Sequence, residues 1–388
     1  MKRRSVVMGL TAAAVAMPAV PAMGLVADAT ASLVFDPAAH TEQTVTVTDT
    51  TSTAHEVVYR FNKGRVPGNV NRIFSSGVSA GGALSSLLGA SGDSPLYEPY
   101  LEAIGAADAS DAIFGTGAWC PITDLEHADM AYEWCWGANP LASSGAQVDQ
   151  TLSAELRTAY GEHVASLGLR AEGYGRLTAR NLDEYLLKTF MEPSATKYLT
   201  ALSAEARAAY LAANPFITWS GGKARFTWAD FRAHVGARKK NVPSFDTFDM
   251  ASPENNLFGT GTTRARHFTL WSLRHENGDS ARLDADIPEK LALMNPMHHL
   301  ADKANAKRSK HWWIRLGTND TDTSHTVAGN LHARLEQLEQ LGDDVDTSYY
   351  WDAGHGADQD PGDFVTWIGE VSGYSKGRGA DSPASPRP

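Results

Sequence analysis

Cysteine is scarce. Cys120 and Cys135 are the only two in 388 residues, which excludes a disulfide-stapled scaffold and leaves either one bridge or buried free thiols. Positive charge is short as well: Lys and Arg number 34 against 45 Asp and Glu, a formal net charge of −11. A chain without a cationic stripe cannot neutralise a phosphate backbone, so nucleic acid is excluded as a partner. The HExxH and paired-cysteine spacings of zinc sites are also lacking, and neither a metal nor any other cofactor is expected. His127, in Leu125-Glu126-His127-Ala128-Asp129, is the nearest approach to a ligand group.

The apolar run Val6 to Val20 is too short to cross a bilayer. It follows Lys2, Arg3 and Arg4 and precedes the small-residue cleavage sites Ala27-Asp28-Ala29 and Ala29-Thr30-Ala31. Residues 1–31 are therefore expected to be a signal peptide of the twin-arginine type, removed on export to the cell envelope or medium, with no membrane attachment afterwards. What remains is long for one compact domain and predicts a core plus an insertion.

Along the chain, a strand is expected near Thr44 to Thr48 and a short helix near Ala54 to Phe61. Ile73 and Phe74 end an apolar run, after which Ala83, Leu84, Leu87 and Leu88 have the spacing of one buried helix face. A second apolar run covers Ile113 to Ile122, followed by a loop and short helix up to Trp136. Residues 140–300 differ in texture. Helical stretches at Ser153 to Leu167, Leu182 to Met191 and Ala204 to Ala213, divided by Gly221-Gly222 and Pro243, mark a mainly helical lid. A strand at Trp312 to Leu316, an amphipathic helix at Val327 to Leu341, a strand at Thr347 to Trp351 and a closing helix at Phe364 to Val371 complete the pattern. Strands alternating with helices predict an α/β fold with a mostly parallel sheet. The expected divisions are thus 32–139 and 301–374 for the two parts of the core, 140–300 for the lid, and 375–388 for a disordered tail rich in Gly, Pro and Ser.

The segment Gly77-Val78-Ser79-Ala80-Gly81, between a strand and a helix, has the form of a nucleophile elbow. The glycines flank Ser79 because the sharp turn leaves no room for Cβ atoms. A serine hydroxyl needs a base to take its proton and a carboxylate to hold that base in one tautomer. Asp320 lies just past the strand at Trp312 to Leu316, and His355 just past the strand at Thr347 to Trp351. The order Ser, Asp, His is that of the α/β-hydrolase fold. Asp322, on the same loop, rivals Asp320 as the acid. The adjacent His298 and His299 are expected on the surface of a helix or loop.

The chain resembles the bacterial tannases, serine esterases of the α/β-hydrolase fold that cleave galloyl esters. The resemblance runs through GRVPGNVNRIFSSGVSAGGALSSLLGASG, CPITDLEHADMAYEW, VPSFDTFDMASPENNLFG with RARHFT, and KHWWIRLGTNDTDTS onward to DFVTWI. It implies Ser79 as nucleophile, Asp320 as acid and His355 as base, with Lys240, Glu254 and Asp322 holding the gallate hydroxyls. Such a site penalises rings that lack those hydroxyls, because its buried polar groups would go unpaired. The segment before Ser79 departs from the family: it is much shorter, so N-terminal strands of the fold are expected to be missing. The amide of Ala80 supplies one oxyanion donor, and the sequence offers no source for the second.

The expected function is a secreted serine esterase for galloyl or related phenolic esters, whose partner is that small-molecule substrate. Two alternatives stand beside it: a general carboxylesterase or feruloyl esterase, and a truncated, weak or inactive phenolic-binding homologue. Oligomeric state is not legible in the sequence.

Overall fold

A computed structural model describes residues 41–48, 54–61, 71–106, 109–260, 264–301, 305, 307–339 and 344–373. The expected leader and C-terminal tail lie outside the described residues. Strands β1 (Thr41–Thr48) and β2 (Ala54–Phe61) form an antiparallel pair with Thr41 opposite Phe61. A helix was the expectation for 54–61. Val57, Val58, Tyr59 and Phe61 are β-branched or aromatic, and the alternating Thr and Val of β1 give them a partner strand, which outweighs the weak helical signal.

Four further strands build the sheet that matters for the site: β3 (Phe74–Val78), β4 (Gly115–Trp119), β5 (His311–Gly317) and β6 (Asp344–Tyr350). They lie in the spatial order β6-β5-β4-β3, and every neighbouring pair is parallel. Val78 is level with Trp119, Trp119 with Arg315, and Gly317 with Tyr350. This register brings the loops that follow all four strands to one edge of the sheet, where α/β folds place their chemistry.

Helix α1 (Ala80–Ser91) follows β3, α2 (Ala128–Trp136) follows β4, and α3 (Gln150–Leu167) packs on α2. Helix α4 (His325–Glu339) connects β5 to β6, and α5 (Pro361–Val371) closes the chain. The strands and these helices match the expected ones to within a few residues, and the mainly parallel sheet flanked by helices fits the expected α/β-hydrolase class. The buried face of α1 is a correction. Gly82, Ser85, Ser86, Leu87, Gly89 and Ala90 are buried, whereas Leu84 is exposed. Small residues let the helix lie close against the sheet, and Ser85 Oγ meets Ser75 Oγ at 2.7 Å, so of the expected apolar stripe Leu87 is buried, Ala83 and Leu88 are half-buried and Leu84 is exposed.

Residues 140–300 contain the expected helices, with Leu182–Leu186 continuing as a π-helix over Leu187–Met191 and Ala204–Ala213 as expected. Gly221 and Gly222, both at positive φ, instead turn a small hairpin between Thr218–Ser220 and Lys223–Arg225. The segment shares the core of the sheet: Tyr160 donates to Thr326 Oγ1 at 2.7 Å, Ser194 to the Tyr349 carbonyl at 2.8 Å, and Phe190 stacks on Tyr349 at 4.5 Å. His299 is buried rather than on the surface, and its Nε2 lies 3.3 Å from Tyr97 Oη. Both cysteines are free and buried. Among the described residues no helix is long and apolar enough to cross a membrane.

Candidate active site

Ser79 joins β3 to α1 at φ 58° and ψ −119°, a backbone conformation that costs energy for any residue with a Cβ. A Cβ on Gly77 would stand 2.2 Å from the Gly81 carbonyl oxygen, so glycine is required there. Gly81 itself has open space, and the second crowded position is Gly82, where a Cβ would stand 2.5 Å from the Trp119 carbonyl oxygen. The elbow is thus tight on one flank as expected, and one residue later on the other. Ala80 opens α1, so its amide belongs to the first turn, which has no intrahelical acceptor.

Past β5, Asp320 is fully buried, and its Oδ2 accepts from His355 Nδ1 at 2.9 Å. Its Oδ1 accepts from the amides of Asp322 at 2.9 Å and Thr323 at 3.3 Å. Of the two aspartates, Asp320 meets the imidazole, while Asp322 lines the cavity above. The hydrogen bond to Asp320 and then the contact with Cys120 hold His355 well above the ordinary imidazole pKa, against the opposing effect of burial. On its other side, Nε2 of His355 faces Cys120 Sγ at 4.0 Å. Among the described residues no hydrogen bond joins Ser79 Oγ to His355, yet both line the same cavity.

That cavity, of about 470 Å³, is also lined by Ile122, Lys240, Ser244, Glu254 and Asp322. All the side chains expected at the site except buried Asp320, which stands behind His355, therefore face one space. Lys240 Nζ lies 3.6 Å from the centre of the Phe245 ring, and burial lowers its pKa despite the opposing charges of Glu254 and Asp322. Asp322 is not free: Lys239 Nζ reaches its Oδ1 at 2.6 Å. Glu254 sits in the first turn of Pro253–Leu257, capped by Ser252 Oγ, which accepts from the Asn255 amide at 2.9 Å.

Several positioning residues escaped the sequence reading. Buried Asp129 accepts from the amides of Ser244, Phe245 and Asp246 at 2.5, 2.7 and 3.0 Å, and burial foremost raises its pKa to about 6. Asp246 in turn accepts from Asn255 Nδ2, His267 Nδ1 and the Thr269 amide at 2.6, 2.7 and 2.7 Å. Tyr132 donates to the Thr321 carbonyl at 2.7 Å and accepts from the amides of Lys239 and Lys240 at 3.2 and 3.1 Å. One phenol thereby ties the loop after β5 to the segment of Lys239 and Lys240. The available signal was a carboxylate or tyrosine amid apolar residues, which by itself does not separate a core clamp from a surface group.

The loop bearing His355 is held from residues 140–300. Asp352, at φ 58°, accepts from Tyr210 and lies 2.6 Å from His234 Nε2, while Trp351 Nε1 donates to Tyr210 Oη at 2.7 Å. His127 takes no part in the catalytic cavity. Its Nδ1 and His163 Nε2 lie 2.9 and 3.1 Å from the two oxygens of Asp124, with the rings stacked 3.5 Å apart. Parallel rings aimed at separate oxygens suit two hydrogen bonds better than two bonds converging on one ion.

No protein-family model matches the chain, and no curated protein matches it. Solved structures do. Over 80% of its length the chain is similar to a tannin acyl hydrolase from Lactobacillus plantarum, at 33% identity and a TM-score of 0.67, covering 68% of that chain. A tannase from Fusobacterium nucleatum aligns at 32% identity and a TM-score of 0.68, with 80% of this chain and 70% of that one covered. A tannin acyl hydrolase in complex with ethyl gallate gives 34% identity and a TM-score of 0.67, with 80% and 67% covered. With the parallel sheet, the strained serine and the shared cavity, these similarities establish that the chain belongs to the tannase family of carboxylic ester hydrolases.

Proposed function

We propose that the protein hydrolyses galloyl or related phenolic esters through an acyl-enzyme formed on Ser79. The observation that carries this reading is the convergence of Ser79 and His355 with Lys240, Glu254 and Asp322 on one cavity, above an Asp320–His355 hydrogen bond of 2.9 Å. Ser79 Oγ attacks the ester carbonyl as His355 Nε2 takes its proton. The oxyanion is met by the Ala80 amide, and the same imidazole returns the proton to the leaving alcohol. Water then repeats the sequence and frees the acid. For the first step the His355 ring turns from Cys120 toward Ser79. Asp320, remaining on Nδ1, fixes the tautomer throughout.

The ring hydroxyls of a galloyl group donate to Glu254 and Asp322 and accept from Lys240. Residues 140–300 act as the lid in this reading, supplying Lys240 and Glu254. Export by the twin-arginine route brings the enzyme to its phenolic substrates. Ser79→Ala is expected to abolish methyl gallate hydrolysis while leaving gallate binding intact; undiminished turnover in that variant overturns the mechanism. Glu254→Ala is expected to lose activity on gallate esters and to spare unsubstituted benzoate esters, and equal loss on both would remove Glu254 from the ring pocket.

A further inference from the structure

The imidazole of His355 touches one group that esterolysis does not use. Cys120 follows the last residue of β4 at φ 40°, and its amide donates to the Arg315 carbonyl at 2.7 Å. That turn sets its buried thiol 4.0 Å from His355 Nε2. Donor atoms of Cys120, Asp320 and His355 all lie within 4.8 Å of one another. We propose that Cys120 Sγ and His355 Nε2 together bind a thiophilic divalent cation, zinc or cadmium, which shuts off hydrolysis by occupying the base; this inhibitory role rests on the reading of His355 given above.

Bond lengths of about 2.3 Å to sulfur and about 2.0 Å to nitrogen, at a tetrahedral angle, separate the two donors by about 3.6 Å in a zinc site. The observed gap is only a few tenths of an ångström wider, and the longer bonds of cadmium close most of that difference. Asp320 stands behind the ring and is not a ligand, because Oδ2 already takes the Nδ1 hydrogen and Oδ1 takes two amides. Its effect is to hold the Nδ1 hydrogen, so that once the ring gives up its other proton the lone pair lies on Nε2, the orientation that metal-binding histidines require. One sulfur and one imidazole select soft cations and reject magnesium and calcium. On binding, the thiol and the imidazolium each give one proton to water, sulfur and Nε2 each donate a lone pair to the ion, and nothing is oxidised or reduced. Waters on the cavity side complete the coordination. Two protein ligands, against the four of a structural zinc site, make the ion exchangeable. A nitrogen bonded to the ion cannot accept the Ser79 proton.

Titrating the full chain with cadmium chloride, while recording the ultraviolet thiolate-to-cadmium charge-transfer band, tests this. The band is expected to saturate at one thiolate per chain in the native protein, in Ser79→Ala and in Cys135→Ala, and to vanish in Cys120→Ala and Cys120→Ser. His355→Ala is expected to weaken cadmium binding at least about tenfold, the loss that removing even an outer-shell partner of a ligand causes. Cadmium should also inhibit methyl gallate hydrolysis, reversibly with a chelator, and each Cys120 variant should be inhibited at least about tenfold less strongly relative to its own ion-free rate. A native protein with no band, or a band undiminished in the folded Cys120 variants, overturns the site. Because the band is read in Ser79→Ala as well, failure of the esterase reading and failure of the cation site give different results.

Discussion

The two ends of the sheet are built to different standards of cover. At the β3 end, which carries Ser79, Ile73 is 50% exposed, Val78 46% and Leu84 39%, and β3 pairs only with β4 among the described residues. At the β5 and β6 end, which carries Asp320 and His355, Trp312 and Ile314 are fully buried and Leu316 is 2% exposed, and residues 140–300 pack across β6. Asp320 and His355 are thus held by a completed core. Ser79 is held by the local geometry of its own turn, through Gly77 and Gly82. Rigidity at the site comes from tertiary packing on one side and from backbone strain on the other.

The largest expected effect tests whether the two ends act as one machine. Ser79→Ala and Asp320→Asn are each expected to lower kcat by roughly 10⁴-fold, and the double variant to fall no further, because the three groups work as a unit. Multiplicative losses in steady-state assays would separate the ends. The residual activity of Asp320→Asn should also begin at lower pH than that of the native enzyme, since the carboxylate is the first cause of the raised His355 pKa; an unshifted acid limb would break that link.

Stability should divide in the same way. Leu316→Ala is expected to cost about 2–5 kcal/mol in urea denaturation, the range for a buried leucine. The loop between the ends supplies an intermediate case. Burial would raise the pKa of Asp124, but His127 and His163 outweigh it and hold it well below the ordinary value; burial likewise opposes the rise of His127, and Asp124 wins. The depressed carboxylate stabilises fully above its unfolded pKa, and that share fades as the pH falls through the folded value. The raised imidazole stabilises below its own unfolded pKa and loses its share as the pH rises past the folded one. Asp124→Asn should therefore cost most between about pH 4 and 6.5, where about 2–3 kcal/mol is expected; a penalty independent of pH would contradict the clamp. Smallest of all, Leu84→Ser should change stability by under about 0.5 kcal/mol, and a loss as large as that of Leu316→Ala would show the β3 end to be covered in solution.

Much of the site was legible because each part has a local signature. A serine between glycines after an apolar run, and an aspartate and a histidine each just past a strand, are short-range patterns that the parallel register then brings together. What the residues left open was settled by tertiary contact. Asp320 and Asp322 are two residues apart, and only the direction each side chain takes separates them. The α1 stripe was only partly legible, at Leu87, because burial there also takes in Ser85, Ser86 and Gly89, whose small size suits close packing and leaves no trace in a hydrophobic period. Val57 and Val58 became strand through pairing with β1, a partner that periodicity does not see. Asp129 and Asp246 were invisible as clamps, since a carboxylate that collects backbone amides is recognisable only once those amides have been brought to it.

The contact of Asp352 with Tyr210 and His234 bears on how such an enzyme can be re-engineered. Chimeras that trade residues 140–300 for those of a relative would exchange the anchor of the His355 loop along with Lys240 and Glu254. A grafted segment lacking a phenol and an imidazole at those two places would leave Asp352 hanging from its own loop, and turnover would fall for every ester, whichever ring the new pocket was chosen to fit.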